Sequence, residues 1–267
     1  MERTEIDGID FALEESGDPD GRPFLWGHGM TSSRAQEAAA GIFGWDRIPG
    51  VRLVRYDARG HGETGGTADP TTYRWDRLAL DMVAVLDDRG IGRGVLGGAS
   101  MGCATALGAA LVAPDRVDAL VLVIPPTAWE TRAAQSGTYL AGAELVERSG
   151  TTALADVVRQ EAPPAVFADI ADLVQQGSAA AIEAMDPALL PHVFRGAAGS
   201  DLPEPSTLAT ITVPTLVLAW AGDPGHPVST AEAIADAVPD ATLEVADDLG
   251  AVLGWVDRVA AFLDELP

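Results

Sequence analysis

A mostly parallel β-sheet covered by helices on both faces is the fold this sequence predicts, and three observations carry the prediction. Short apolar runs alternate along the chain with stretches of helical periodicity, the pattern of strands joined by helical crossovers. Several of the later runs, "DALVLVIP" and "PTLVLAW" among them, are apolar throughout, as strands buried on both faces must be. One strand leads through "GGASMG" into an Ala-rich helical stretch, a junction that belongs at the carboxyl end of such a sheet. A length of 267 residues fits one domain of this class, with a core large enough to need no staple.

Eight strands are expected in order: "TEIDG", "DFALEES", "RPFLWG", "VRLVRYD", "RGVLGGA", "DALVLVIP", "PTLVLAW" and "ATLEVA". The second closes in "SGDPDG" (Ser16 to Gly21), whose Gly and Pro content marks a turn, so the first two strands are expected to form an antiparallel hairpin at one edge. Between the strands, "DRLALDMVAVLDDRG" places Leu78, Met82, Val85 and Leu86 on one face and stops at Gly90, which reads as an amphipathic helix. A second helix is expected over "STAEAIADAVP", opened by cap-competent Ser229 and Thr230, and a third over "GWVDRVAAFLDEL". From Pro125 to Pro205 the strand signal disappears and short helical patterns broken by Gly and Pro replace it. Their apolar faces need a partner, so residues 125–205 are read as a helical insertion over one end of the sheet, between core segments 1–124 and 206–267.

Composition narrows the partners. Lys+Arg number 17 against 40 Asp+Glu, a net charge of −23, and a field of that sign repels phosphate backbones and polyanionic ligands. No nucleic acid is expected. There is a single cysteine, Cys103, no basic-then-apolar leader pattern, and no uncharged apolar run of about 18–20 residues. A soluble cytoplasmic protein without a membrane partner is the expectation. Four scattered histidines and one cysteine form no ligand cluster, and no phosphate loop or dinucleotide fingerprint occurs, so neither metal nor cofactor is expected.

The chemistry concentrates in four motifs. In Gly98-Ala99-Ser100-Met101-Gly102 the glycines permit a turn tight enough to lift the Ser100 side chain clear of the sheet, while the following helix aims its N-terminal N–H groups at the same point. The sequence "LWGHGMTSS" supplies a second turn, where the backbone N–H of Met30 can join that of Met101 in holding a developing oxyanion; His28 there reads as a turn histidine. In "YDARGHGETGG" Asp57, Arg59 and His61 read as braces of a glycine-rich loop, and Cys103 reads as core packing. The fourth motif, "AGDPGHPVST", holds Asp223 and the last histidine, His226.

Taken in order, "WGHGM", "YDARGHG", "GGASMG" and "LAWAGDPGHP" resemble the α/β-hydrolase superfamily over almost the whole chain, and the first two look most like its lactonase and esterase branch. The resemblance implies an α/β-hydrolase fold with a helical lid, and an acid after "PTLVLAW", at Asp223. It also implies a histidine after the next strand, where this chain has "DDLGAVLGW" and none. Three accounts stay open. His226 is the base, oriented by Asp223 or by Asp247 or Asp248 from the loop where the histidine usually stands; or His28 is the base; or the fold binds a small molecule or promotes a non-hydrolytic elimination or rearrangement. The reading adopted is a serine hydrolase of a small, largely apolar ester, lactone or thioester. In it Ser100 is the nucleophile, His226 the base, Asp223 its orienting acid, Met30 and Met101 the oxyanion donors, and Trp129 and Tyr139 the pocket walls.

Overall fold

The first hairpin is set by two residues. In the computed structural model, which describes residues 2–267, β1 (Glu2–Ile6) and β2 (Ile9–Gly17) pair antiparallel with Ile6 opposite Ile9. Asp7 and Gly8 link them at φ 55° and 73°. A two-residue loop with positive φ at both positions matches the twist of the strands it joins, and Asp-Gly supplies it. The hairpin is therefore where the sequence placed it but turns on Asp7–Gly8. "SGDPDG" instead redirects the chain from β2 into β3 (Arg22–Gly27).

The remaining strands are β4 (Val51–Tyr56), β5 (Gly94–Ala99), β6 (Val117–Val123), β7 (Thr215–Trp220) and β8 (Ala241–Ala246). The sheet order is β1-β2-β4-β3-β5-β6-β7-β8, parallel from β4 to β8, so the eight-stranded, mostly parallel sheet is as expected. Successive side chains leave a strand on opposite faces, and the core divides accordingly. On one side Leu25, Val54, Leu96 and Leu122 join Leu78 and Met82 of α2 (Trp75–Asp88) and Leu107 of α3 (Met101–Val112). On the other, Phe24, Trp26, Val95 and Val121 join Trp45 and, from α10 (Trp255–Asp264), Trp255 and Val259.

The other helices are α1 (Arg34–Ala40), α4 (Arg132–Val158), α5 (Ala171–Glu183), α6 (Leu190–Ala198), α7 (Pro205–Leu208), α8 (Val228–Ala237) and α9 (Leu249–Leu253). α8 starts one residue before the expected caps. Pro227, at φ −66°, ends the loop, the Thr230 N–H bonds its carbonyl, and no side chain caps the helix. Helices α4 to α7 all lie between β6 and β7, and α4 is interrupted at Gly150, φ 79°. No helix among the described residues is long and apolar enough to cross a membrane.

The root of this helical segment is fastened by a buried cation. The Arg132 guanidinium donates to the Ser200 carbonyl (2.7 Å), to Thr127 Oγ1 (3.2 Å) and to the Ala197 carbonyl, and lies 4.2 Å over the Trp75 ring. The Thr127 N–H in turn donates to the Gly225 carbonyl, 3.2 Å away, which ties the start of the insertion to the loop after β7.

Candidate active site

The junction after β5 is a tight elbow. Ser100 stands at φ 52°, ψ −109°, a region that strains an L-residue by about 1–3 kcal/mol, and α3 starts at the next residue. Two close approaches explain the flanking glycines. A Cβ on Gly98 would lie 2.4 Å from the Gly102 carbonyl carbon, and one on Gly102 would lie 2.0 Å from the Gly27 carbonyl oxygen. Both obstacles are backbone. Gly102→Ala is accordingly expected to cost about 3 kcal/mol of stability in a urea titration, through overpacking that no rotamer change relieves.

The loop after β7 delivers an imidazole to the elbow. His226 Nε2 lies 2.9 Å from Ser100 Oγ, and His226 Nδ1 lies 2.8 Å from Asp223 Oδ2. The same carboxylate oxygen accepts the Trp220 indole N–H at 2.8 Å, while Oδ1 accepts the Gly225 N–H at 2.9 Å. Burial pushes the Asp223 carboxyl up. The hydrogen bond and charge of His226, the indole and the Gly225 N–H outweigh that and hold it at about 2. An ionised Asp223 keeps the proton on Nδ1 and leaves the Nε2 lone pair facing the Ser100 hydroxyl, which is the arrangement that activates a serine.

The turn after β3 approaches from the opposite side. A Cβ on Gly29 would lie 3.9 Å from that of Ser100, so the Gly29–Met30 peptide is a near neighbour of the elbow. Met101 is the first residue of α3, and its N–H has no intrahelical acceptor. Two histidines hold the turn in place. His28 Nε2 accepts the Ala58 N–H at 2.9 Å and Nδ1 donates to the Gly29 carbonyl at 2.7 Å; His61 Nε2 lies 2.5 Å from the Met30 carbonyl. Burial, then the nearby His61, hold the His28 imidazole at about 3. With its lone pair engaged and its proton affinity that low, His28 is no proton acceptor near neutrality. In the adjoining loop, Asp57 accepts the Arg34 and Glu63 N–H groups, and Arg59 forms a buried bidentate pair with Asp81.

The other residues singled out by the sequence make no hydrogen bond to the Ser100 side chain. Asp248 caps α9 by accepting the Ala251 N–H at 2.8 Å, and Asp247 is exposed beside it. Tyr139 stacks on Phe194 (5.9 Å, 4° between planes) and lies 5.2 Å below the Arg132 guanidinium. Trp129, at φ 48°, anchors its backbone N–H on Asp201 and keeps a buried indole N–H with no partner among the described residues. Cys103 is buried, its Sγ 3.0 Å from the carbonyls of Gly98 and Val123, and burial pushes its thiol up.

Two side chains of the site escaped the sequence reading. Trp220 closes an apolar strand and reads as core. Yet its indole orients Asp223 while its rings stack on Trp255 (5.8 Å, 8°) and meet Phe167 edge-on (4.9 Å, 83°). Glu37, which the sequence does not single out, is buried against Trp26 and Gly29. The signal available for Trp220 was its spacing, three residues before the aspartate of the candidate loop; Glu37 had none.

Comparisons with known proteins agree with this architecture. Residues 26–143 match the family model described as the alpha/beta hydrolase fold. The chain is 29% identical over 201 residues to 3-oxoadipate enol-lactonase 2 of Acinetobacter baylyi, spanning 72% of this chain and 69% of that protein. Other curated relatives align over less than half of their own length. Among solved structures, the enol-lactonase from Burkholderia xenovorans superposes with a TM-score of 0.84 at 20% identity, over 99% of this chain and all of that one. A thermophilic esterase from Thermogutta terrifontis superposes with a TM-score of 0.78 at 25% identity, over 99% and 97%. The chain has the α/β-hydrolase fold and is similar to enol-lactonases and esterases that share it.

Proposed function

We propose that this α/β-hydrolase-fold protein cleaves a small, largely apolar carboxylic ester, lactone or thioester through an acyl-enzyme on Ser100. The observation that carries the reading is the unbroken hydrogen-bond chain from Ser100 Oγ through the His226 ring to Asp223, at 2.9 and 2.8 Å. In this scheme Ser100 Oγ attacks the carbonyl carbon as His226 Nε2 takes its proton, and the Met30 and Met101 N–H groups stabilise the tetrahedral oxyanion. The carbonyl re-forms, the leaving oxygen or sulfur departs with the proton from His226, and a water activated by the same ring releases the acid. Acid and base thus share one loop, with the Asp223 carboxylate three residues before its histidine.

The lactonase and esterase relatives support an acyl-oxygen bond as the target. A net charge of −23 disfavours polyanionic substrates, so an uncharged or weakly charged small molecule fits best. The insertion over 125–205 serves as the lid, with Trp129 and Tyr139 as walls of the pocket beneath it. Acid quenching during turnover of a panel of short aryl esters and lactones, followed by mass spectrometry, tests the scheme. An acyl mass on the peptide containing Ser100 is the expected result; turnover with no adduct there under any quench, and undiminished in Ser100→Ala, would sink it.

A further inference from the structure

We propose that Glu37 is a positioning residue for the oxyanion turn, its carboxylate holding the Gly29 peptide so that the next N–H, that of Met30, faces Ser100. The inference rests on the reading of Met30 as an oxyanion donor. Glu37 Oε2 accepts the Trp26 indole N–H at 2.7 Å and Oε1 accepts the Gly29 N–H at 3.2 Å, so one carboxylate links the end of β3 to the turn. Gly29 is then held on both sides. Its N–H is fixed by Glu37, and its carbonyl, which shares a peptide plane with the Met30 N–H, is fixed by His28 Nδ1 at 2.7 Å. A glycine has little conformational preference of its own, so the direction of the Met30 N–H depends on these two anchors.

The choice of a carboxylate here is costly for the fold. Glu37 is 7% exposed, and an ionised carboxyl at such a position must be compensated by donors. Its only hydrogen-bond donors among the described side chains and turn are Trp26 and Gly29; the Arg55 guanidinium on β4 acts on it through space and donates instead to Glu14 at 3.1 Å. Asp57 beyond β4 opposes its ionisation, Cys103 on α3 lies close enough to feel its charge, and His28 shares the Gly29 anchor. Burial first, against the indole, the Gly29 N–H and Arg55, lifts the Glu37 carboxyl to about 7. His28 is held at about 3 and the Cys103 thiol is pushed up, so neither of these neighbours changes charge near neutrality. Only the ionised carboxyl accepts on both oxygens. The clamp is complete above about pH 7 and loses one anchor as the pH falls below it.

Glu37→Gln has the shape of the protonated acid, so the ratio of wild-type to variant kcat isolates this one group from every titration the two proteins share. Phenyl butyrate hydrolysis is followed from pH 5.5 to 8.5 by chromatography of the released phenol, with Ser100→Ala as the control. The expected ratio is near one at the acid end and about tenfold at the alkaline end, part of the ~10²–10³ that removal of a whole oxyanion donor costs, with KM little changed. A flat ratio, or a loss confined to KM, overturns the inference. Wild-type turnover that does not depend on Ser100 fails the hydrolase reading itself, and the inference with it. Should Glu37→Gln not fold, Trp26→Phe is read instead. Removing the indole donor should move the acid limb of kcat to higher pH, and an unmoved limb overturns the proposal.

Discussion

Ser100→Ala is expected to lower kcat/KM for short esters by about 10⁴–10⁶-fold while leaving the fold intact. The hydroxyl is the one group that the elbow strain presents. Its Oγ meets His226 Nε2 at 2.9 Å, and the backbone at φ 52°, ψ −109° is what turns it outward from the sheet. Alanine keeps that backbone and removes only the nucleophile, so any residual rate comes from the oxyanion turn and substrate binding. The companion variant Ser100→Gly separates strain from chemistry. Glycine adopts this conformation without the Cβ penalty, and after its own extra unfolded-state entropy a net gain of about 1 kcal/mol in stability remains. Steady-state kinetics and denaturant titrations of the two variants provide the check. Activity in Ser100→Ala within tenfold of wild type, or a Ser100→Gly protein less stable than wild type, would contradict the account.

This elbow was legible in the sequence because everything that makes it is local. A strand, two glycines two residues either side of a serine, and a helix behind them leave one geometry, and the 2.0 Å approach of a Gly102 Cβ to Gly27 explains why a side chain has no room there. The edge hairpin was legible for the same reason, although the Gly- and Pro-rich cluster after β2 drew attention from the Asp7–Gly8 pair that makes the turn. Long-range burial was not legible. Glu37 sits in "RAQEAAA", which by composition is a surface helix, and only the packing of α1 over Trp26 and Gly29 reveals a buried carboxyl. Tyr139 shows the converse: an aromatic in a helical insertion carries no local mark that distinguishes stacking on Phe194 from facing a substrate. The missing histidine after β8 was itself informative, because it forced attention onto His226, and the structure places that ring between Ser100 and Asp223.

Asp223→Asn is expected to reduce kcat by about 10⁴-fold with the loop still folded, whereas Asp247→Asn and Asp248→Asn should leave kcat within about twofold of wild type. The carboxylate receives three N–H donors, from His226, Trp220 and Gly225, and donates nothing. An asparagine at this position must turn its amide nitrogen either toward His226 and Trp220 or toward Gly225. In the first orientation the amide donates to Nδ1, drives the ring proton to Nε2 and leaves no lone pair for the Ser100 hydroxyl. In the second the Gly225 N–H faces another donor and the loop must shift. The first orientation removes the base without a change in side-chain volume, the second keeps it only at the cost of the Gly225 contact, and because ionised Asp223 is held at about 2, no pH in the working range mimics the defect in the wild type. Asp248 differs because its partner is the Ala251 N–H, so its replacement weakens a helix cap by about 1 kcal/mol at most and does not reach the ring. Parallel kinetics and thermal melts on the three variants decide between loops. A large rate loss in Asp247→Asn or Asp248→Asn with Asp223→Asn near wild type would move the acid to the loop after β8 and require a different rotamer of His226 in the working enzyme.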